Sequence, residues 1–382
     1  MQRILKWIFV SFFMLFFKAC SAPDQGYLVY VGTYTGHGSD GIYAYRFNPD
    51  KGELNPIGLV AKTDNPSFIT IDSSGRFLYA VNELDSFQNQ PTGAVSVFAI
   101  DSKSGELKLL QQISSLGAAP AHLSMDKSGR YLLVANYNGG NVAVFPIESD
   151  GRLGPQTSFI QNAGSSVNPD RQSGPHAHFI QVTNDNKFVL VADLGIDKVL
   201  LFRFDANTGS LIPTDSGYVK MDPGSGPRHI ACAPSGKFIY VLNELTSTVT
   251  LLSYESENGA MQIKRTISTL PEDFTGKNTA AEIAVDAKGQ FLYGSNRGDN
   301  SIGLFSINSD SGDLIPIAWI PSGGKTPRHF EIDPTGQWLF AANQDSDNIV
   351  LFRIDQATGR LVQKPQTAVL ISPVCIRFLK LK

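Results

Sequence analysis

Histidine, arginine and glutamate residues recur near the ends of short apolar runs, and side chains of these types can carry out acid–base chemistry. Five of the six histidines, three arginines and three glutamates occupy such positions: His122, His176, His178, His229, His329, Arg228, Arg297, Arg328, Glu83, Glu244 and Glu282. The forked donors of arginine bind carboxylate or phosphate groups well. A nearby histidine or glutamate can take a proton from water. The set is therefore typical of a site that activates water beside an anion-binding group.

The stretch 326–361, TPRHFEIDPTGQWLFAANQDSDNIVLFRIDQATGRL, indicates which elements position such residues. It predicts short strands at 327–332, 338–342 and 349–354, and an outer strand that opens near Leu361. Pro and Gly in the turn 333–336 separate the first two strands. The same unit recurs along the chain. Its outer-strand marker, Gly-x-Leu or Gly-x-Met, begins at seven glycines: Gly52, Gly105, Gly151, Gly209, Gly259, Gly312 and Gly359.

Seven copies with a period of about 50 residues predict an all-β fold, a seven-bladed β-propeller of four-stranded antiparallel blades. Second strands such as 188–192 and 238–242 are almost wholly apolar, so we expect neighbouring blades to cover both of their faces. A β-sandwich array is the alternative. Two long inserts, at 162–174 and 270–279, both precede a first strand. The predicted blades after the first are 66–113, 120–160, 175–219, 227–267, 280–320 and 327–370.

The first blade lacks an inner strand of its own. Its strands at 27–32, 41–47 and 54–61 are followed directly by the second blade. The segment 373–379 has the same proline-led apolar pattern as 66–71. We therefore expect this C-terminal strand to join the first blade, which closes the ring and removes two free sheet edges.

The first two strands of each blade are antiparallel around a tight turn, so their far ends meet at one rim. This rim gathers the candidate catalytic residues His176, Arg228, Glu244 and Arg297. It also gathers the candidate substrate-binding residues His178, His229, Glu282, Arg328, His329 and Asn343. A polar face around an axial mouth suits a small ligand. At the opposite rim we expect only generic turns, such as 72–75 and 126–129.

Structural roles are open for some of these residues. A histidine in a Pro-x-His motif, such as His122 or His329, is able to pin the backbone of the neighbouring blade. An Asn at the end of a second strand, as at Asn343, is commonly a turn residue. The set His176, Arg228, Glu244 and Arg297 favours function, because its members differ in type between blades.

Composition excludes several other classes of protein. The net charge of −3 and the absence of a basic stripe argue against nucleic-acid binding. The histidines and cysteines have no zinc spacing, and no phosphate-binding glycine motif precedes a helix. There is no serine nucleophile elbow. Cys20, Cys232 and Cys375 predict no disulfide. We expect no metal and no cofactor.

The N-terminus predicts export. A basic start, an apolar run at 7–17 and Ala19-Cys20 are typical of a signal peptide over residues 1–20 with Cys20 as a lipoprotein cleavage point, although Lys18 departs from the usual small residue. Residues 21–26 then form a tether, and 27–382 form the propeller domain. The predicted location is periplasmic or membrane-anchored through a lipid, or cytoplasmic if the leader does not function.

Four segments together resemble the seven-bladed propeller lactonases, which include bacterial 6-phosphogluconolactonases and the fungal carboxymuconate-lactonising enzyme. The segments are SGPHAHF, GPRHIACAPSGKFIYVLNEL, AEIAVDAKGQFLYGSNRGDNSI and TPRHFEIDPTGQWLFAANQDSDNI. The resemblance covers residues 27–380 and implies a lactone hydrolase that needs no metal. The relatives' proposed site of one His, two Arg and one Glu falls on His176, Arg228, Glu244 and Arg297. The sugar-phosphate enzymes act in the cytoplasm, so an exported chain points to another sugar lactone.

Three functions follow as hypotheses. The first is hydrolysis of a sugar lactone, most simply 6-phosphogluconolactone, with a small molecule as the only partner and the chain as a monomer or weak dimer. The second is a muconate-type cycloisomerase. The third is a non-catalytic binding propeller on the cell envelope, for which Tyr34, Phe87 and Tyr137 are the candidate rim aromatics.

Overall fold

A computed structural model describes residues 26–381, and within them the chain forms a ring of seven four-stranded antiparallel sheets. Each sheet is one blade, as the repeat predicted. The first three blades contain β28 (Pro373–Lys380), β1 (Tyr27–Thr33), β2 (Gly41–Asn48) and β3 (Glu53–Lys62); β4 (Ile69–Ile71), β5 (Phe77–Asn82), β6 (Ala94–Ile100) and β7 (Leu107–Ser114); and β8 (Pro120–Met125), β9 (Tyr131–Asn136), β10 (Asn141–Pro146) and β11 (Ser158–Gln161).

The other four blades repeat this order from inner to outer strand. They contain β12 (Ala177–Val182), β13 (Phe188–Asp193), β14 (Lys198–Asp205) and β15 (Ser210–Lys220); β16 (Pro227–Cys232), β17 (Phe238–Asn243), β18 (Thr248–Tyr254) and β19 (Met261–Ser268); β20 (Ala280–Val285), β21 (Phe291–Asn296), β22 (Ser301–Ile307) and β23 (Leu314–Pro321); and β24 (Pro327–Ile332), β25 (Trp338–Asn343), β26 (Asn348–Ile354) and β27 (Leu361–Val369). Two short 3₁₀ helices, Leu194–Ile196 and Gln344–Ser346, follow β13 and β25.

The C-terminal strand closes the ring, as predicted. β28 pairs with β1 over its whole length, from Tyr27 opposite Lys380 to Thr33 opposite Pro373. The first blade therefore combines the two ends of the described chain, and no inner strand is left without a partner. The predicted leader and most of the tether lie outside the described residues. Within residues 26–381, no helix has the length and apolar character needed to cross a membrane.

Apolar side chains cover both faces of each blade, which explains the unbroken apolar runs. β9, β13 and β25 are buried at every position. Between the fifth and sixth blades, Leu242 and Leu251 pack with Leu292 and Phe305 in one core cluster. The sheets are therefore held together chiefly by burial of apolar surface between blades.

The glycine of the outer-strand marker is a contact point between blades. Tyr240 of the fifth blade donates its hydroxyl hydrogen to the carbonyl of Gly312 in the sixth, at 2.9 Å. Gly312 has a φ of +76°, and a Cβ there would lie 2.7 Å from the ring of Phe238. Equivalent tyrosine–glycine bonds join Tyr30 to Gly105, Tyr79 to Gly151 and Tyr293 to Gly359. The marker is therefore fixed both by backbone conformation and by close packing.

We predict that Gly312→Ala destabilises the propeller more than Gly236→Ala does. Both glycines have positive φ, but a Cβ at Gly236 meets nothing within 4 Å. The backbone cost of about 1–2 kcal/mol is common to both, and only Gly312→Ala adds overpacking of about 1–3 kcal/mol. Urea or thermal unfolding of the two variants measures the difference. Equal losses would contradict the packing role of the marker.

Candidate active site

One extra residue in the inner strand changes which side chains face the axis of the ring. In β16, Pro227 lies opposite Asn243, but His229 lies opposite Leu242, so Arg228 is inserted as a β-bulge. The same register shift occurs in β8, β12, β20, β24 and β28. A bulge redirects side chains and ends regular alternation. As a result, two successive residues of an inner strand reach the axial channel.

The side chains along the axis form three layers. The upper layer, at the rim with the predicted site, contains Ser67, Ala121, His178, Arg228, Arg328 and Val374. The middle layer contains Phe68, His122, Phe179, His229, Glu282, His329 and Cys375. The lower layer contains Thr70, Ser124, Gln181, Ala284, Glu331 and Arg377.

Glu244 is the centre of the charged groups at the upper rim. Its buried carboxylate lies between three guanidinium groups: 2.7 Å from Arg171 Nη2, and 3.0 Å from both Arg228 Nε and Arg297 Nη2. The Arg228 contact lacks hydrogen-bond alignment and is therefore electrostatic. Arg228 also donates to the carbonyl of Ala281. The arrangement brings together three of the four predicted catalytic residues.

Electrostatics assign Glu244 a charged, positioning role. Burial alone would raise its pKa, but Arg297, Arg228 and Arg171 outweigh burial and lower it to about 2. A carboxylate this acidic is a weak base. Burial, Arg297 and Arg328 lower the pKa of Arg228 to about 9, which leaves the guanidinium cationic at neutral pH. Glu244 is therefore ionised and forms ion pairs with the arginines around it.

His176, the fourth predicted catalytic residue, is presented at the same rim as a proton acceptor. Its Nδ1 lies 3.0 Å from the carbonyl oxygen of Tyr137, and its ring stacks on the Tyr137 ring at 4.4 Å. Because a carbonyl oxygen only accepts, Nδ1 carries the hydrogen of this bond, and Nε2 is the ring nitrogen that is left to accept a proton. The Tyr137 hydroxyl accepts from Arg171 at 3.2 Å, which links His176 to the Glu244 cluster.

Arg171 was missed by the sequence reasoning, although its insert, 162–174, was noted. The repeat pattern does not cover residues of an insert. The one available signal was the length of this insert, which lies next to the predicted site rim. Asp197, fully buried, holds this insert by accepting from Ser166 Oγ and Gln172 Nε2. It also accepts from the backbone nitrogens of Gly224 and Gly226, just before Arg228. One carboxylate thus fixes two of the three chain segments that supply arginines to Glu244.

Arg328 lies in the upper layer beside a different pair of residues. Its Nη2 donates to the hydroxyl of Tyr34 at 2.6 Å, and Tyr34 donates to Glu83 Oε2 at 2.8 Å. The rim aromatics Tyr34 and Tyr137 therefore support arginines. Phe87, the third candidate rim aromatic, is partly exposed.

The other predicted binding residues lie deeper. In the middle layer, Glu282 Oε1 lies 3.0 Å from His229 Nδ1 and Glu282 Oε2 lies 3.4 Å from His329 Nε2. Burial lowers the pKa of His229 well below its usual range and that of His329 to about 3, so both are neutral near pH 7. These residues support the rim from beneath.

Two predicted binding residues remain, His178 and Asn343, together with His122, for which a structural role was open. His178 is buried in the upper layer, and its ring lies 5.2 Å from that of His229. His122 Nδ1 accepts from the backbone nitrogen of Ile180 in the next blade at 3.4 Å, which is the pinning role considered for it. Asn343 is fully buried and donates to the Ser322 carbonyl, so its side chain is not part of the catalytic rim.

The pocket between the upper and middle layers is barely the size of one water molecule, with a volume of about 10 Å³. A molecule of sugar size does not fit in this pocket, and the rim above it carries His176, Arg171, Arg297 and Arg328. Within residues 26–381, no group of three histidine, cysteine or acidic residues is placed to hold a metal ion.

The expectation that the opposite rim holds only generic turns was wrong. The turns are present, but an axial cavity opens between them and contains Glu331 and Arg377. The physical reason is strand alternation. Beyond the bulge every second residue faces the axis, so the lower layer is as exposed to the channel as the upper one.

Comparisons with known proteins agree with this geometry. Residues 28–378 match the family described as "Lactonase, 7-bladed beta-propeller". The 6-phosphogluconolactonase of Bacillus subtilis is 38% identical over 353 residues, covering 92% of this chain and 98% of that protein. A 6-phosphogluconolactonase of Formosa agariphila is 36% identical over 308 residues, covering 79% and 85%.

A solved structure gives the same result. The periplasmic gluconolactonase of Pseudomonas aeruginosa superimposes with a TM-score of 0.87 at 33% identity, covering 94% of this chain and all of that one. Fold, rim chemistry and similarity over nearly the whole described chain agree: this chain belongs to the seven-bladed β-propeller lactonase family.

Proposed function

We propose that this lactonase opens 6-phosphogluconolactone to 6-phosphogluconate. The observation that carries the proposal is the group of arginines around Glu244, next to a histidine with a free ring nitrogen. The two relatives named 6-phosphogluconolactonase, 38% and 36% identical, support the choice of substrate. The bound substrate is a single small molecule, and we propose that the ring works as a monomer or weak dimer.

In the proposed reaction, His176 acts as the general base. Its Nε2 takes a proton from a water molecule as the water oxygen attacks the lactone carbonyl carbon. The bond from that carbon to the ring oxygen then breaks, and the ring oxygen leaves as a hydroxyl after taking up the proton. The product acid ionises to a carboxylate. General-base assistance of this kind contributes about 10²–10⁴-fold to rate.

The arginines stabilise negative charge in two places. Arg228 and Arg297 are held by Glu244 and would stabilise the oxyanion that forms at the lactone carbonyl. Arg328, beside Tyr34, and Arg171, at the other oxygen of the Glu244 carboxylate, would hold the 6-phosphate through their forked donors. Because the groups are paired before substrate arrives, they need little reorganisation during the reaction.

An unphosphorylated sugar lactone is the second candidate. Two observations favour it: the predicted export leader at 1–20 and the similarity to the periplasmic gluconolactonase. In this version the enzyme acts in the periplasm, either free or anchored through Cys20, on gluconolactone. The catalytic residues keep the same roles, and Arg328 and Arg171 contact hydroxyl groups instead of phosphate.

The two substrates are distinguished by an assay panel. We expect the purified chain to accelerate opening of 6-phosphogluconolactone over its spontaneous rate, with a higher kcat/KM than for gluconolactone. Arg328→Met should remove this preference, because it weakens binding of the phosphorylated substrate alone. A higher kcat/KM for gluconolactone would favour the second candidate, and no acceleration of either would contradict both.

Substitution of the base separates binding from chemistry. We expect His176→Ala to lower kcat about 100-fold or more with little change in KM, because the residue acts only as charge develops. Arg228→Ala should lower kcat/KM by a similar factor, since it removes a group that stabilises the transition state. His37→Ala, at an exposed histidine, is the matched control and should be silent. Full activity in His176→Ala would exclude it as the base.

Asp197 should matter for catalysis although it lies behind the site. In Asp197→Asn, one acceptor oxygen becomes an NH2 group, and its hydrogens face donors on Ser166, Gln172, Gly224 or Gly226. The two segments that carry Arg171 and Arg228 should therefore shift. We expect kcat/KM to fall about 10- to 100-fold. Asp126→Asn, at a buried turn aspartate on the opposite rim, should leave activity intact.

A double variant tests whether Asp197 acts through Arg171. If it does, combining Asp197→Asn with Arg171→Ala should cost less than the sum of the two single losses in activation free energy. Strict additivity, measured on folded protein below its melting temperature, would mean that the two residues act independently.

A further inference from the structure

A second cavity lies on the axis at the mouth opposite the catalytic rim. This lower chamber has a volume of about 470 Å³ and lies beneath the middle layer. Its walls are the lower-layer residues, with the turns at Asp286 and Asp333 around its mouth. The volume is within the range of about 300–1,000 Å³ that is usual for sites that hold small molecules.

The middle layer separates the lower chamber from the catalytic rim. The ring centroids of Phe68 and His122 are 4.2 Å apart, and those of His122 and Phe179 are 4.1 Å apart. The ring of His229 lies 5.2 Å from Phe179. These contacts fill the centre of the channel, so a molecule in the lower chamber does not reach His176 or Glu244.

The walls of the lower chamber are polar on two sides. On one side, Arg377 pairs with Glu331 and lies 3.0 Å from His329 Nε2. Burial raises the pKa of Glu331 to about 7, against the opposing effect of Arg377. On the other side are the hydroxyls of Thr70 and Ser124 and the amide of Gln181. Charged groups on one wall and neutral donors and acceptors on the other surround the space.

The roof of the chamber is aromatic. Phe68 and Phe179 contribute their rings to it, and the Arg377 guanidinium lies 4.7 Å from the Phe68 ring centroid. An aromatic surface beside a carboxyl–guanidinium pair suits a molecule with one apolar face of C–H groups and hydroxyls around its edge. A planar apolar ligand would leave the polar walls unpaired, at a cost in free energy.

Charge argues against an anionic occupant. Four carboxylate side chains line the chamber, those of Glu282, Glu331, Asp286 and Asp333, against the single guanidinium of Arg377. The carboxylates already have partners. Glu331 pairs with Arg377, Glu282 lies beside His229, and Asp286 and Asp333 accept backbone hydrogens of their turns. A phosphorylated sugar would therefore be repelled by the excess of carboxylates over guanidinium groups.

We propose that the lower chamber binds an uncharged, hydroxyl-rich molecule of monosaccharide size, at a site separate from the catalytic rim. Its hydroxyls would bond to Gln181, Thr70 and the Glu331–Arg377 pair, and its C–H face would lie against Phe68 and Phe179.

The test is calorimetric titration of the full chain with D-glucose. We expect saturable binding that weakens about tenfold in Gln181→Leu and in Thr70→Val, because each change removes one hydrogen bond to the ligand. Gln262→Leu makes the same chemical change on the exposed outer strand β19 and should bind as the wild type does. Lactone hydrolysis should be unchanged in all three variants, which shows that they are folded.

Because glucose resembles a lactone ring, its place of binding must also be tested. An excess of 6-phosphogluconate, which would occupy the catalytic rim, should leave the glucose affinity of the lower chamber unchanged. Displacement of glucose by 6-phosphogluconate, equal affinity in Gln181→Leu and wild type, or an absence of saturable binding would each overturn the proposal. Binding of 6-phosphogluconate that is weakened by Gln181→Leu would also overturn it, since the chamber would then accept an anion.

Discussion

The single extra residue in the inner strands is the constraint on which the rest of the site depends. Without the bulge, strict alternation would turn Arg228 or His229, but not both, toward the axis. With the bulge, two adjacent residues of one strand enter the channel, one in the upper layer and one in the middle layer. The repeat copies this geometry to most blades, so side chains far apart in sequence are brought together along the axis of the ring.

The charged groups at the rim survive burial because they are paired. An isolated carboxylate with the exposure of Glu244, about 4%, would be strongly destabilising, and three guanidinium groups compensate. The pairing keeps the arginines charged and oriented before substrate binds. Preorganised charge of this kind is usually the largest contribution to catalysis of acyl transfer.

The same layers divide the axis into two compartments. The middle layer is a plug of aromatic rings and neutral histidines, and it separates a cationic rim from a chamber in which carboxylates outnumber guanidinium groups. Two sites of opposite charge character thus share one scaffold. The bulky residues that fill the channel support the rim arginines from below, and they also form the roof of the lower chamber.

Sequence alone determined the number of blades, the closure by β28 and the rim on which Arg228, Glu244 and Arg297 meet. These depend on local rules, namely turn chemistry, strand alternation and a fixed repeat, which short segments carry by themselves. Only the tertiary structure decided that Arg171 reaches Glu244 from an insert, that Asp197 holds that insert, and which nitrogen of His176 is free. It also revealed the chamber around Glu331 and Arg377. Such contacts join different blades or connect an insert to a blade, so no local pattern specifies them. The bulge also changes which side chains face the axis, and it is visible only in the pairing of strands.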